Sequence, residues 1–537
     1  MRYAETLPDV VRAEENLYTC SSEGISKITE AIHKYDLNKI VVASCTPRTH
    51  EPLFRSACEE AGVNKYLFEM ANIRDQCSWV HPHEPEKATE KAKDLVRMAV
   101  AKSRLLKPLE EPEIDVTSSA LVIGGGISGM TAALCLANQG FKVHIVEKEP
   151  KLGGTLKHLY KLYPTMQHAS EILNHVVNSV RRNKGIVVFT TTTVRQVKGF
   201  IGNFDVSVQK AHGAMANFEV GTIIVATGAS IFEPVGMYGY GEHDKIITQL
   251  QLEQLLKNGQ LKRPERVAMI QCVGARDEKR RYCSRVCCMT AIKNATLIKD
   301  LYPHTDVYIV FRQLQTYGKH YEEYHRMAQD KGVRFVKYLQ EKPPEVVSGE
   351  NGKLAVNVYH PLLDEELTIK SDLVVLSTPL VRHEDAKELS QILKVPLGPD
   401  GFFFEAHVKL RPIDFATDGI YLCGAAHSPK DTPECISQAL GVASRAAIPL
   451  ALKRLRAEAI AASVNEKLCS GCGTCVKLCP YGAIEKDERG VARVNEVTCK
   501  GCGVCAATCP ENAVEMRHFT KKQVTAQALA ALGGTVI

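Results

Sequence analysis

The sequence has no stretch approaching ~18 uninterrupted apolar residues, the least a membrane-spanning helix needs, so no membrane insertion is expected. Its opening, MRYAETLPDVV, lacks a basic start followed by an apolar block, which argues against a secretory signal and points to the cytoplasm. There is no long basic run, and a net charge of +6 is small for 537 residues; nucleic acid is therefore not an expected partner. No low-complexity segment is present, and neither is a Ser–His–Asp arrangement. Serine-hydrolase chemistry has nothing to stand on here.

What the chain does have is cysteine, 19 of them. In a reducing compartment metal ligation is a better use for so many thiols than disulfides, and spacing decides the matter. Cys469, Cys472, Cys475 and Cys479, followed by Pro480, spell C-x2-C-x2-C-x3-C-P. Cys499, Cys502, Cys505 and Cys509, followed by Pro510, spell it again. Glycines 471, 473, 501 and 503 allow the tight backbone turns that wrap three thiolates around one face of a four-iron cubane. The fourth cysteine is expected to begin a helix leading to the other cluster. One [4Fe–4S] cluster is therefore assigned to Cys469, Cys472, Cys475 and Cys509, and the other to Cys499, Cys502, Cys505 and Cys479. Zinc or free thiols would not require two full copies of an eight-ligand pattern.

A second signal begins at Ser119. A buried strand, Ser119-Ala-Leu-Val-Ile-Gly124, runs into Gly124-Gly125-Gly126-Ile127-Ser128-Gly129. A helix from Met130 to Gln139 and a strand Lys142-Val-His-Ile-Val-Glu147 follow. In this G-x-G-x-x-G arrangement the first glycine makes the turn, the second admits a pyrophosphate and the third packs helix on strand. The helix N-terminus favours the phosphates. Glu147, with Lys148 beside it, ends the second strand where ribose hydroxyls are bound, and Gly153-Gly154 come soon after. Ile223-Ile-Val-Ala226-Thr227-Gly228 and Asp418-Gly419-Ile-Tyr421-Leu-Cys423-Gly424 look like the second and third fingerprints of FAD enzymes of the disulfide-reductase type. FAD is the expected cofactor, with Gly124, Gly126, Ile127, Ser128, Gly129, Glu147, Lys148, Gly154, Ala226, Thr227, Gly228 and Gly424 around it.

Such enzymes carry a second Rossmann unit for NAD(P)H. Here the strand Arg266-Val-Ala-Met-Ile-Gln-Cys272-Val-Gly274 leads to Ala275-Arg276-Asp277 instead of a glycine turn. The next strand, Val307 to Phe311, ends in Arg312 instead of an acid. Both the phosphate turn and the ribose contact are missing, so a nicotinamide site is not expected. In its place stand Cys272, Cys283, Cys287 and Cys288. They invite a metal reading, against the plainer one of a strand-core thiol and helix packing. No redox C-x-x-C of the thioredoxin kind lies next to the flavin segments, so direct disulfide chemistry by this chain is not expected.

Together with Ala13-Glu-Glu-Asn-Leu-Tyr-Thr-Cys20, Ala43-Ser-Cys45-Thr-Pro-Arg-Thr-His50, Phe68-Glu-Met-Ala-Asn-Ile-Arg-Asp-Gln-Cys77-Ser-Trp79-Val-His81 and Cys423-Gly-Ala-Ala-His427-Ser-Pro-Lys430, these strings resemble the A-type subunit of heterodisulfide reductase (HdrA) over essentially the whole chain. The resemblance implies an α/β fold: a thioredoxin-reductase-like, Rossmann-type FAD core, an N-terminal α/β domain and a C-terminal 2[4Fe–4S] ferredoxin-like α+β domain. The domains expected are 1–115 (N-terminal α/β), 116–261 with 396–455 (FAD), 262–395 (a second Rossmann-like unit carrying a cysteine site) and 456–537 (ferredoxin), the last entered through a helical linker from Ala451. The resemblance also implies a third [4Fe–4S] cluster at Cys272, Cys283, Cys287 and Cys288. It implies partners like the B- and C-type subunits of heterodisulfide reductase, the B-type reducing the coenzyme M–coenzyme B disulfide. An electron supply from a hydrogenase or formate dehydrogenase module, and a dimer of complexes, are implied as well. In many members the flavin splits its electron pair, one electron going to ferredoxin. Lys409 is either a contact near flavin N5 or a surface lysine; His427 and Lys430 follow the Gly424 turn that approaches the flavin.

Two departures stand out. The family's Cys-x-Cys-Gly start lies upstream of where this chain begins, so a fragment or an internal start is expected. Cys20, Cys45 and Cys77 then either hold an N-terminal cluster or are buried thiols, with Cys58 a poor substitute ligand. The extra ferredoxin insert of many members has no room between Phe204 and Ala226, which bears on whether the electron pair is split. Two other readings are a stand-alone NAD(P)H-dependent flavin oxidoreductase and a non-catalytic scaffold.

Overall fold

The computed structural model describes residues 1–348 and 353–533, leaving aside the side chains of Arg48 and Thr49. The chain falls into two compact units, Asp115–Leu455 and Met1–Ile114 together with Arg456–Ile537.

The larger unit uses one plan twice. In the first half five parallel strands run in the order Ile420–Leu422, Thr222–Val225, Ser119–Ile123, Lys142–Val146, Ile186–Phe189. Every residue of Ser119–Ile123 is buried, as a central parallel strand covered on both faces requires. Helix Ile127–Asn138 packs against helix Thr432–Ala451 on one face, over Val122, Met130, Leu136 and Ile145. The other face buries Leu121, Ile123, Val206 and Phe415. Each such aliphatic side chain contributes about 1.5–3 kcal/mol, which is why this sheet is a rigid floor for a ligand.

The second half repeats the parallel sheet as Ile246–Thr248, Leu373–Leu376, Arg266–Ile270, Asp306–Phe311, Val333–Lys337. Helix Cys287–Leu301 covers one face through Met289, Ile292 and Ala295. A three-stranded antiparallel sheet accompanies each half. In the first, strands Asn203–Lys210 and Met215–Val220 form a hairpin that passes straight into Thr222–Val225, so residues 204–226 are taken up by two strands of the antiparallel sheet and one interior strand of the parallel sheet.

In the smaller unit, strands Ile40–Ser44 and Phe68–Asn72 pair in parallel, flanked by helices Ser22–Tyr35, Pro47–Glu60 and Pro85–Ser103. The cysteine-rich C-terminal part pairs Ala462–Val464 with Val514–Met516 and Ile484–Lys486 with Ala492–Val494. The two parts are joined by helix Lys521–Ala531 lying on Pro85–Ser103, where Arg97 donates through Nε to the Ala530 carbonyl at 2.6 Å. Buried Lys102 bridges Glu69 at 2.8 Å.

The α/β class expected from the sequence holds. Two local expectations do not. The linker after Ala451 is not helical: the helix, already carrying Pro449 inside it, stops, Lys453 takes a left-handed φ of 56°, and the chain becomes extended over Arg454–Arg456. The fourth cysteine of each motif does not begin a helix. Short helices Thr474–Leu478 and Val504–Ala507 contain the third cysteine, and Cys479 and Cys509 come after their ends. Among the described residues no helix is long and apolar enough to cross a membrane.

Candidate flavin and iron–sulfur sites

A cavity of about 470 Å³ opens in the larger unit. Every residue expected at the cofactor lines it except Gly129 and Gly424, which stand just behind. Gly124 holds φ +109°, and a Cβ there would lie 2.4 Å from the Ala226 carbonyl oxygen. A Cβ on Gly129 would lie 1.9 Å from the Gly124 oxygen, and one on Gly424 2.2 Å from Ser128 Oγ. Gly126 is different: the nearest atom to its would-be Cβ is Gly154 Cα at 3.9 Å. That space is a cradle for a ligand's phosphates at the N-terminus of helix Ile127–Asn138.

Glu147, buried, accepts from the Gly125 N–H at 2.6 Å and the Glu149 N–H at 2.8 Å. Its carboxylate is thus fixed in direction and keeps lone pairs for further donors. Thr227 Oγ1 is buried without a partner, an orphan that a bound group would satisfy. These residues fit the pyrophosphate and ribose of FAD. An adjoining cavity of about 130 Å³ shares Gly124, Glu147, Lys148 and Thr227 and continues past Thr193, Val194 and Arg195.

At the far end the cavity is lined by Lys430 and by Asp431, Thr432 and Pro433, the start of helix Thr432–Ala451. A helix N-terminus favours negative charge. Lys430 Nζ donates to Ser428 Oγ at 2.6 Å and to His427 Nδ1 at 3.3 Å. Burial pushes its pKa down to about 8. His427 lies behind it, paired through Nε2 with Glu405 at 2.9 Å and through Nδ1 with Gln438 at 2.9 Å. Burial lowers its pKa below the ordinary value, so the imidazole is neutral at pH 7 and accepts from Lys430. Lys409 lies elsewhere, exposed on the turn between His407 and Arg411 and outside the cavity lining.

The same cavity touches Cys287, Thr290 and Lys293, one face of helix Cys287–Leu301. Cys287 and Cys288 occupy the first turn of that helix. Burial raises both thiols, and Cys272 and Cys283 act on each of them electrostatically in the same direction. Thiols that influence one another in this way resist ionising together unless a cation compensates them, and cysteine sulfur is the kind of donor an iron–sulfur cluster takes. They sit where loops leave the carboxyl ends of Arg266–Ile270, Asp306–Phe311 and Leu373–Leu376, the ligand-binding edge of an open α/β sheet. Cys287 Sγ reaches the Thr378 carbonyl at 3.4 Å.

In the smaller unit a small cavity is lined by Cys469, Cys472, Cys475 and Cys509. Another is lined by Cys479, Cys499, Cys502 and Cys505. Each thus joins three cysteines of one motif to the fourth of the other. Backbone N–H groups already point at sulfur: Ala462 to Cys499 at 3.4 Å, Ala483 to Cys479 at 3.3 Å and Ala513 to Cys509 at 3.3 Å. Of the N-terminal cysteines, Cys45 and Cys77 follow the carboxyl ends of the paired strands Ile40–Ser44 and Phe68–Asn72. Cys20 is exposed, and Cys77 Sγ contacts the Ala88 carbonyl at 2.7 Å. Cys58 is a core thiol at 0% exposure, and burial raises its pKa to about 12.

The sequence reading missed Glu253 and Lys293, a fully buried ion pair on the cavity wall. The signal was a lone charge in the otherwise uncharged stretch Met289-Thr-Ala-Ile-Lys293-Asn-Ala-Thr-Leu-Ile298.

Fold and cavities together define a flavin- and iron–sulfur-dependent oxidoreductase. The pyridine nucleotide-disulphide oxidoreductase family matches residues 118–440, and a 4Fe-4S dicluster domain matches residues 462–516. The chain is 42% identical to an iron–sulfur A-subunit of CoB–CoM heterodisulfide reductase from Methanopyrus kandleri over 579 aligned positions, covering 91% of this chain and 88% of that protein. It is 40% identical to the A-subunit of the H(2):CoB-CoM heterodisulfide,ferredoxin reductase of Methanothermobacter marburgensis, covering 99% and 94%. The chain belongs to the heterodisulfide reductase A-subunit family. Among solved structures it is similar to T. acidophilum thioredoxin reductase at a TM-score of 0.43 and 18% identity, over 62% of this chain and 98% of that one.

Proposed function

We propose that this chain is the flavin-bearing electron-transfer component of a heterodisulfide-reductase-type complex. The division of labour is the one expected from the sequence: FAD held by 116–261 with 396–455, a [4Fe–4S] cluster on 262–395, two more on 456–537, and 1–115 as an α/β domain whose Cys20, Cys45 and Cys77 are candidate ligands of a further cluster. When bound, FAD accepts an electron pair and releases it in single steps to iron–sulfur clusters. Glu147, Thr227 and the Gly124–Gly129 turn bind and orient it. Lys430, with neutral His427 beneath it, holds a proton at Nζ facing the cavity, and the N-terminus of Thr432–Ala451 favours negative charge there.

The observation that carries this reading is Cys287. It lines the flavin cavity and also belongs to the four-thiol group, so flavin site and cluster site share a wall. A docked nicotinamide has no such provision: the turn after Arg266–Ile270 contains no phosphate-binding glycine motif, and Arg312 occupies the end of the next strand. Partners like the B- and C-type subunits are those the family resemblance implies, and input from a hydrogenase or formate dehydrogenase module fits the name of the Methanococcus maripaludis relative, an "H(2)/formate:CoB-CoM heterodisulfide,ferredoxin reductase".

The test is anaerobic purification with bound partners, iron and flavin analysis, and titration of the flavin. Reduction by the co-purified donor module but not by NADH is expected. Bleaching by NADH at catalytic rates would overturn the reading in favour of a stand-alone reductase, and folded protein without flavin would favour a scaffold. Adding ferredoxin as a second acceptor reads whether the electron pair is divided between two routes.

A further inference from the structure

Gln271 is the first residue beyond the strand Arg266–Ile270, and it is 1% exposed. Its backbone is fully engaged: its N–H donates to the Val310 carbonyl at 2.9 Å, and its carbonyl accepts from Tyr338 OH at 2.9 Å. Its side chain is not engaged. Both Nε2 and Oε1 are buried and without partners. Native folds rarely leave a buried amide donor in that state, so an acceptor other than the protein's own side chains and backbone takes its N–H. That group is not the flavin, because Gln271 does not line the flavin cavity.

Its position says what the group is. Val267 and Met269 pack in the same core as Met289 and Ile292 of helix Cys287–Leu301. Alternation along the strand puts Gln271 next in that row, beside the helix's first turn with Cys287 and Cys288. The following residue is Cys272, in a left-handed conformation with φ 64°, which turns its thiol out of the strand's regular alternation. Unpartnered donors recur around this turn. Arg312, 8% exposed, clamps the loop by donating to the Ala275 carbonyl at 2.8 Å, the Arg276 carbonyl at 3.0 Å and Gln340 at 2.9 Å. Its Nε is left over, as is Nη1 of Arg276.

We propose that Gln271 is a positioning residue that donates its amide N–H to the sulfur atoms of the cluster held by Cys272, Cys283, Cys287 and Cys288, with Arg312 as a permanent cation behind it, and so raises that cluster's reduction potential. This rests on the reading of those four cysteines as cluster ligands. A cluster gains one negative charge on taking up an electron, so a donor and a buried cation stabilise the reduced form more than the oxidised one. The function served is direction: an electron arriving at the Cys287 wall of the flavin cavity finds an acceptor made easier to reduce.

The test is an EPR-monitored anaerobic redox titration of the full chain with FAD and clusters in place. Gln271→Met keeps the volume and removes the donor. Gln271→Glu keeps the shape and adds a negative charge. Cys288→Ser identifies the cluster's signal. The expected result is that both Gln271 variants retain iron and flavin while one signal, the one lost in Cys288→Ser, titrates lower. Loss of one hydrogen bond to a charged group corresponds to roughly a tenfold fall in its reduction constant, or about 59 mV for one electron, and Gln271→Glu falls further than Gln271→Met. An unmoved potential in both variants overturns the proposal, since the amide is then satisfied by water. Loss of the signal in both variants, with the other clusters retained, also overturns it, since the amide is then structural. If Cys288→Ser keeps full iron and every signal, the cluster reading itself has failed.

Discussion

The buried pair Glu253–Lys293 offers a test whose size and sign both follow from the structure. The two side chains are 1% and 2% exposed. Lys293 Nζ has two partners, the Glu253 carboxylate and the Lys161 carbonyl at 2.9 Å. The same carboxylate oxygen takes the Tyr160 N–H at 2.8 Å. Glu253→Ala therefore strands an ammonium group with one carbonyl and frees a backbone donor. Breaking one half of a buried pair costs about 3–5 kcal/mol. At ~2 °C per kcal/mol for a unit of this size, the melting temperature of the larger unit should fall by roughly 6–10 °C. Removing both charges together, as Glu253→Leu with Lys293→Met, should recover most of that loss, because an apolar pair of similar volume leaves nothing uncompensated.

The pH dependence gives an independent sign. Burial holds the Lys293 pKa below its ordinary value already, and losing the carboxylate, which raises it, lowers it further. In the unfolded chain the lysine titrates near ~10.4. Between the two values the unfolded chain binds more protons than the folded one, so the variant's stability rises with pH across that window. The deficit should be largest at pH 7 and shrink by pH 9.5. The assay is thermal unfolding followed by flavin fluorescence at both pH values, with the double variant completing the cycle. A single variant melting within a degree or two of the native chain would refute the reasoning. So would a double variant as unstable as the single, or a deficit that grows with pH.

Two further outcomes can be checked on the same protein. Cys509→Ser should remove the same EPR component as Cys475→Ser, and Cys479→Ser the same component as Cys505→Ser, because the two cavities are lined across the motifs; pairing of Cys509 with Cys505 in the spectra would refute the crossed assignment. Lys430, with its pKa near 8, loses the charge that faces the cavity as pH rises, so the flavin midpoint potential of the native chain should steepen its fall above about pH 8. In Lys430→Met that break should vanish, and a break that persists would show that another group titrates there.

What the sequence revealed depended on how local the signal was. The turn at Gly124–Gly129 and the doubled cysteine motif are contiguous, and their spacing carries both the backbone conformation and the ligand set. The crossing of the fourth cysteines was legible for the same reason. Helix ends were less so. Placing a helix after Cys479 and across Ala451–Ala459 followed residue propensity, whereas Pro449 and the left-handed Lys453 stop the long helix. Glu253 and Lys293 lie 40 positions apart on helices Gln249–Lys257 and Cys287–Leu301, so no window of sequence shows that they meet. Gln271 reads simply as a strand residue; only burial without a partner sets it apart.

The second Rossmann unit shows how a fold keeps a binding position while its residues change the ligand. Parallel order and crossover helices fix the place, at the carboxyl edge of the sheet, and that place is retained: loops leaving Ile270, Phe311 and Leu376 still converge on the start of helix Cys287–Leu301. A dinucleotide would need bare N–H groups at that helix end and an acid after the second strand. Here the first helical residues are cysteines, the connecting loop from Gln271 to Val286 supplies two more, and Arg312 stands in the acid's position. A cation there offers ribose hydroxyls no acceptor, and Arg312 instead holds the loop after Cys272 through the Ala275 and Arg276 carbonyls. On the proposed reading of the four cysteines as cluster ligands these substitutions act together, and a glycine turn restored alone would still leave Arg312 where a ribose-binding acid is needed.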